Sequence, residues 1–552
     1  MNTAARLTLS IIGILSLLLA LLVVPLHAQN RDVPVIRTTS RLVQLNVVVL
    51  DNHRRPVGDL SRDDFEVFDN GREQKLSHFS VASAPAAGAR SAVPSLVLTN
   101  RPGQPRETPA TVTIVLVDEM LLQDVRASYY RAALRSARLD VLKFLGTLQP
   151  GQQLALYALR LEGVVVIQDF TDDPAALLAA AKTIGAGQLK AKFSPVGAKP
   201  DTARTMEDSW AGGGAAMTRK TDLTEDLRRE LVKEAFQGIA RHLEGNPARK
   251  NVVWISPIFP SLVTGFDPAL MAAERDAVNP IPGAMLPVPE FANPESHYSQ
   301  LRALARDMSN ANISVYPMDA KGLTTGSAVN LLGERSFMDL LASETGGRAY
   351  YGTNGLDEPL REVAEEGRVE YLLGYHPGDS AWDGKYHHVE VRLRRKGLSI
   401  LCRKGYLAAD EPRPEDSDSS LRDAAKGMLE WSGIAVTLNV SSNPLEWFKQ
   451  DVVVKLDTQE IHFVYVDGRW RANLEVAFVQ LANDGRVLEG LNDDLDLALF
   501  PESYRDAATQ GWFYPKTLDI GPKAEKLRVV VRDLASGAVG SVSVPVYHSK
   551  SP

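Results

Sequence analysis

Residues 112–117 read Val-Thr-Ile-Val-Leu-Val, a short run that is apolar at nearly every position and stops at Asp118. A strand of this kind has no polar face to offer water. Both of its faces must be covered, as happens inside a parallel sheet. The segment behind it, 124–145, places Tyr130, Leu134, Ala137, Val141 and Leu145 at helical spacing. Strand-like runs follow at 154–159 and 164–167, then a helix over 174–184 that opens on a proline, as a first helical turn permits. A helix over 224–243, a buried strand over 251–256, a helix over 298–308, a strand over 313–316, a helix over 336–344 and a short strand over 348–350 complete the series. Strands alternating with helices predict an α/β domain over 109–366 with a doubly wound, mostly parallel, Rossmann-like sheet. Two stretches within it, 185–222 and 257–294, read as irregular insertions.

The flanks change period. In 42–49, Leu42, Gln44, Asn46 and Val48 alternate with Val43, Leu45, Val47 and Val49, which gives a strand at least one strongly apolar face. Asn70-Gly71 closes the next strand in a tight hairpin, because both residues tolerate positive φ. Residues 38–82 therefore form an N-terminal β module, and 83–108, rich in Ala, Ser, Pro and Gly, read as a linker. Strands return over 369–375, 388–393 and 398–406, in a β module spanning 368–408. A charged helix near 418–430 leads into a C-terminal β-sandwich-like domain over 433–548. The modules 38–82 and 368–408 each hold too few strands for a comfortable core. They are expected to pair as one discontinuous sandwich with the α/β domain inserted between them.

At 552 residues, and roughly 150 residues per domain, three or four domains are expected. A net charge of −7 excludes the basic footprint of a nucleic-acid binder. The single cysteine, Cys402, excludes an intrachain disulfide, a cysteine-rich zinc site and a CxxC redox centre. Residues 1–28 read as a secretion signal: Arg6 is its positive flank, 7–24 its apolar stretch, and Ala28 its processing site. An uncleaved anchor is the rival reading, and membrane contact is expected only in that case. Either way the protein is placed outside the cytoplasm, secreted, periplasmic or in the cell envelope.

Several segments carry a family resemblance. Asp118 ends a buried strand just before a helix, and the strand–helix order of 111–366 resembles a von Willebrand factor type A (vWA) domain. The flanking motifs Val47-Val-Val-Leu-Asp51, Leu60-Ser-Arg-Asp-Asp-Phe-Glu-Val-Phe-Asp-Asn-Gly71, Tyr371-Leu-Leu-Gly-Tyr375, Asp383-Gly-Lys-Tyr386 and Arg403-Lys-Gly-Tyr406 are similar to those of acidobacterial secreted vWA-domain proteins. The resemblance covers about 38–408.

Such domains often hold a metal-ion-dependent adhesion site, in which an Asp-x-Ser-x-Ser loop, with a Thr and an Asp from neighbouring loops, presents oxygens to Mg²⁺. Here the loop reads Asp118-Glu-Met-Leu-Leu122, and Pro257 follows Ser256 where the second aspartate is expected. Of the family's metal set only Asp118 survives. A site built on it, with Glu119 or Asp319, would be degenerate, and no cofactor is expected. The alternative role for Asp118 is to cap the following helix.

Catalytic signatures are mostly absent: there is no Gly-x-Ser-x-Gly, His-Glu-x-x-His or Gly-x-Gly-x-x-Gly. The stretch 378–385 fails as a phosphate loop because Tyr386 stands where Ser or Thr is required. His376, His387 and His388, with Asp379 and Asp383, have zinc-ligand chemistry, but adjacent strand residues point to opposite faces. Asp493, Asp494 and Asp496 alternate with leucines and read as a solvated strand face. Arg392, Arg394, Arg395 and Lys396 read as the charged stripe of an edge strand.

These readings converge on a non-enzymatic adhesion-type protein whose loops bind a protein or surface ligand. The alternatives are an envelope hydrolase working at His376/His388 or the Asp118 crevice, and a structural subunit that docks through its C-terminal β domain.

Overall fold

The computed structural model describes residues 42–83, 98–100, 111–120, 128–149, 151–185, 215–246, 248–260, 294–323, 328–377, 383–408, 417–427, 429–442, 449–483 and 485–546. The segment 1–28, most of the two insertions and Asp379 lie outside the described residues.

In chain order the first strands are β1 (Val43–Leu50), β2 (Phe65–Asp69), β3 (Arg72–Gln74), β4 (Leu76–Ser83) and the two-residue β5 (Leu98–Thr99). The α/β region contributes β6 (Thr111–Asp118), β7 (Gln153–Arg160), β8 (Gly163–Thr171), β9 (Arg249–Ser256) and β10 (Ile313–Asp319). Its helices are α1 (Ser128–Leu145), α2 (Pro174–Ala181), α3 (Ala215–His242), α4 (Pro294–Asn310), α5 (Ala328–Thr345) and α6 (Asp357–Glu366). Then come β11 (Val369–Tyr375), β12 (Tyr386–Leu393), β13 (Ser399–Leu401), β14 (Gly405–Leu407) and α7 (Ser417–Lys426). The last region holds β15 (Val436–Ser442), β16 (Lys449–Leu456), β17 (Val464–Val466), β18 (Arg469–Leu481), β19 (Val487–Leu499), α8 (Pro501–Gln510), β20 (Trp512–Asp519), β21 (Lys526–Asp533) and β22 (Val539–Pro545).

Strands from both sides of the α/β region complete one core. The sheets run β13-β1-β11-β4 and β14-β12-β2-β3. β1 pairs antiparallel with β11, from Val43 opposite Tyr375 to Val47 opposite Tyr371, and β2 pairs with β12 in the second sheet. Val43, Leu45 and Val47 pack between the sheets with Phe65, Val67, Tyr371, Leu373 and Tyr375. The stretch 398–406, read above as one strand, breaks in two: β13 joins β1 and β14 joins β12. Gly405 starts β14 at a close approach to β12, where a Cβ would overlap the His387 carbonyl.

The central sheet has the order β8-β7-β6-β9-β10, parallel except for β8, which runs antiparallel to β7. Strand periodicity divides its side chains between two faces. Ile114, Leu116, Val252 and Trp254 pack under α3, α4 and α5, whereas Val115, Val117, Val253 and Ile255 pack under α1, α2 and α6. This two-sided cover is what the apolar run at 112–117 requires. The carboxyl ends of β6, β9 and β10 carry Asp118, Ser256 and Asp319, at the edge where open α/β sheets receive ligands.

The C-terminal region stacks the sheet β20-β16-β15-β5 on a sheet built around β18, β21 and β22. Its edge strand β5 comes from inside the expected linker, so that reading is corrected at 98–100. Asn100 explains why. It is 3% exposed, and its side-chain amide donates to the Trp431 and Ile434 carbonyls, both at 2.7 Å, while its oxygen accepts from Val436 N at 3.0 Å. Three buried backbone groups find partners in one side chain.

The first sandwich meets the central domain through buried charge. Arg249 donates to the Gly346 carbonyl at 2.9 Å, to Tyr316 Oη at 3.3 Å and to the Asn46 carbonyl of β1 at 3.4 Å. Gly346 is needed beside it: its φ is +76°, and a Cβ there would come within 2.8 Å of Arg403 N. Glu370 of β11 faces Arg249 and Lys250. Burial pushes its carboxyl up to about 7, against the opposing pull of Arg249. Burial lowers the neighbouring Lys250 ammonium to about 8.

Two outcomes follow. Asn100→Ala leaves those backbone groups unpaired and is expected to cost the C-terminal region about 2–3 kcal/mol, read as a lower urea midpoint for that region. Glu370 has a folded pKa above its ordinary 4.5, so its contribution to stability is full below about 4.5 and is lost as pH rises through about 7. In Glu370→Gln that loss disappears, so the difference in Tm between variant and native chain should move in the variant's favour across this window.

Candidate functional site

Asp118 is 1% exposed at the end of β6, a place where a carboxylate needs a counter-charge. The structure supplies one from α3. Arg228 Nη2 lies 2.5 Å from Asp118 Oδ2, 2.7 Å from the Ile258 carbonyl and 3.3 Å from Ser256 Oγ. Ser256 Oγ, at the end of β9, is 2.8 Å from the same Asp118 oxygen. The other oxygen, Oδ1, accepts from Met120 N at 3.1 Å. Both carboxylate oxygens are thus engaged by protein groups, and Met120 is buried in the core below.

This arrangement does not fit Mg²⁺. The ion takes about six oxygens in a near-octahedral shell, yet the guanidinium already occupies the approach to Asp118 Oδ2 and Ser256 Oγ. A divalent cation there would sit against a fixed positive charge. Asp118 is held in an internal ion pair with Arg228, a third role beside the degenerate metal site and the helix cap considered above.

Arg228 was missed in the sequence, although a signal existed. It lies on the same helical stripe as Val232, Ala235 and Ile239, one turn ahead of them, so α3 carries a guanidinium on its buried face. Glu119 is also engaged, accepting from Arg160 Nε at 2.9 Å and Gly185 N at 2.6 Å. The structure does not bring it to Asp118's oxygens.

Asp319 lies apart, at the end of β10, in a cleft of about 330 Å³ between α1, the turn after β10 and residues 353–356. Its Oδ1 accepts from Lys321 N at 2.8 Å, and Lys321 Nζ stands 3.9 Å from its Oδ2. That ammonium is instead bonded to Glu334. Burial holds the Asp319 carboxyl above its ordinary range.

The remaining candidates are absorbed into structure. His387 points inward, with Nδ1 2.9 Å from Asp69 Oδ1 and Nε2 3.3 Å from Asp383 Oδ1. Tyr375 and Tyr406 both donate to Asp69 Oδ2, at 2.9 and 2.8 Å. His388 points outward, edge-on to Tyr386, and His376 lies beyond the end of β11. Among the described residues no group of three or more acidic, His or Cys side chains is placed to hold a metal.

Asp493 corrects the solvated-face reading. It accepts from Tyr514 Oη at 2.7 Å and pairs with Lys516 at 2.8 Å, while Asp494 and Asp496 are exposed. The basic stripe lies where β12 pairs with β2 alone, since β14 reaches only 386–388, and its last three residues follow the end of β12. Arg392 lies over Phe68 and pairs with Glu390, Arg394 pairs with Glu66, and Arg395 with Asp59. Arginines so neutralised form no free basic patch.

No family model matches this chain, and no curated protein matches it. Its structural neighbours include the vWA domain of SpRpn10, at 12% identity and a TM-score of 0.20, covering 46% of this chain and 94% of that one. They also include the pilus adhesin SpaC of Lactobacillus rhamnosus GG, at 10% identity and a TM-score of 0.27, covering 87% of this chain. A third is proximal thread matrix protein 1 of the mussel byssus, at 12% identity and a TM-score of 0.23. The chain spans 59% of the adhesin and 47% of the mussel protein. TM-scores this low have no bearing on function. Among the described residues no helix is long and apolar enough to cross a membrane.

The Arg228–Asp118 pair gives a direct test. Arg228→Met strands a buried carboxylate and is expected to destabilise the central domain by about 3–5 kcal/mol. Adding Asp118→Asn removes that charge and should recover a substantial part of the loss. A denaturant double-mutant cycle reads both, and additive single effects would show that the two groups do not act on each other.

Proposed function

We propose that this chain is a secreted or envelope-exposed binding protein of the adhesion type. Its α/β domain is a vWA-like scaffold that grips a protein or surface partner without a divalent cation and without chemistry on a bond. One observation carries the reading: the Arg228 guanidinium sits on Asp118 and Ser256, where a vWA domain would place its metal. The strand order, with an antiparallel edge strand and the carboxyl ends of β6, β9 and β10 side by side, supports the scaffold assignment.

The internal cation has a physical consequence for binding. A metal centre with an open position can accept a carboxylate from its ligand, whereas an arginine already bonded to three oxygens has less to give. Recognition then falls to the shape and charge of the surrounding loops. Fold analogy alone would be a weak warrant for this. The buried ion pair is a feature observed in this chain itself.

Titration calorimetry on the full chain tests the reading. Millimolar Mg²⁺ or Mn²⁺ is expected to give no saturable heat, and partner binding is expected to survive EDTA. Micromolar cation binding that Asp118→Ala abolishes would overturn it.

A further inference from the structure

The cleft around Asp319 is separate from the Asp118 cluster and has a chemistry of its own. Its volume, about 330 Å³, falls at the small end of ligand pockets, which run from roughly 300 to 1,000 Å³. Ala133 and Ala137 of α1 form one wall, and Gly322 and Gly355 lie in the loops opposite, so small residues leave the space open.

Charge inside the cleft cancels unevenly. Asp140 is satisfied from outside by Lys143 Nζ at 2.9 Å and by Leu356 N at 3.1 Å. Lys321 is committed to Glu334. Asp319 is 6% exposed and keeps one backbone donor on Oδ1. Among the described residues no donor reaches its Oδ2 within hydrogen-bond distance, since Lys321 Nζ stands at 3.9 Å. Thr353 Oγ1, which lines the same cleft, is buried without a hydrogen-bond partner. A buried carboxylate oxygen short of donors favours a cation that can hydrogen-bond to it.

We infer that this cleft receives one alkylammonium or guanidinium group, carried on a lysine or arginine side chain of a protein partner. Asp319 is its counter-ion and Thr353 Oγ1 its second acceptor. Lys321 is shared between Asp319 and Glu334, so the three side chains carry one net negative charge, which matches one positive charge, whereas a polyamine would bring a second charge with no partner. A divalent metal fits poorly, because too few oxygens converge to complete its shell. The inference names the partner chemistry of the binding role proposed above and rests on that reading.

Calorimetry of the full chain at low salt provides the test, with N-acetyl-lysine amide and N-acetyl-arginine amide as probes. N-acetyl-norleucine amide, putrescine and Mg²⁺ serve as comparisons. At least one of the two cationic amides is expected to bind, with the norleucine amide about tenfold weaker or more. Asp319→Asn is expected to lose about tenfold in affinity, and so is Ala133→Leu, which fills the space and keeps the charge. Circular dichroism melts confirm that each variant is folded. If Asp319→Asn does not fold, Ala133→Leu decides alone. The inference is overturned by equal binding of the norleucine amide, by unchanged affinity in a folded variant, by preference for putrescine or Mg²⁺, or by no binding of either cationic amide. Cation binding at Asp118 would be removed by Asp118→Ala, which leaves the cleft lining intact, so failure of the earlier reading is distinguishable from failure of this one.

Discussion

A carboxylate at the end of a buried strand cannot remain charged without a partner, and how that demand is met determines what the ligand edge of this sheet can do. Asp118 meets it with Arg228, and the pairing fixes α3 against the ends of β6 and β9. Ser256 and the Ile258 carbonyl are drawn into the same set of contacts. At the ends of β6 and β9 both oxygens of Asp118 are therefore engaged by protein groups.

The same principle recurs where the modules meet. Arg249 and Glu370 are buried between the central sheet and the first sandwich, and each depends on groups contributed by the other module. Arg403 adds bonds to the Ser309 and Gln44 carbonyls across that junction. On the opposite side Ser432 donates to the His242 carbonyl at the end of α3 and accepts from Gly245 N. Polar contacts of this kind are directional, so they fix the orientation of the modules where apolar contact alone would let them slide.

The architecture was partly legible in the sequence. Strands buried on both faces announce themselves as apolar runs, and β6, β7, β9 and β10 lie where those runs stand. The β character of both flanks was equally readable. What escaped depends on distant partners. The split of 398–406 follows from different partners, β1 for β13 and β12 for β14, and β5 is a strand only because β15 and Asn100 make it one. Helix α6 is short and rich in acidic residues, which hid its buried Leu360 and Val363. At the site, Asp118 was found from its position after a buried run. Arg228 was not, because its partner lies 110 residues away and only its place on an apolar helical stripe marked it.

The short strand at Leu98–Thr99 also governs how the molecule can be divided. The chain leaves the first sandwich, contributes an edge to the C-terminal sheets, and only then enters the central domain. No contiguous fragment beginning after Asn100 carries the complete C-terminal sandwich. Beside the two-residue strand, the three side-chain bonds of Asn100 help to hold this segment to the C-terminal sheet.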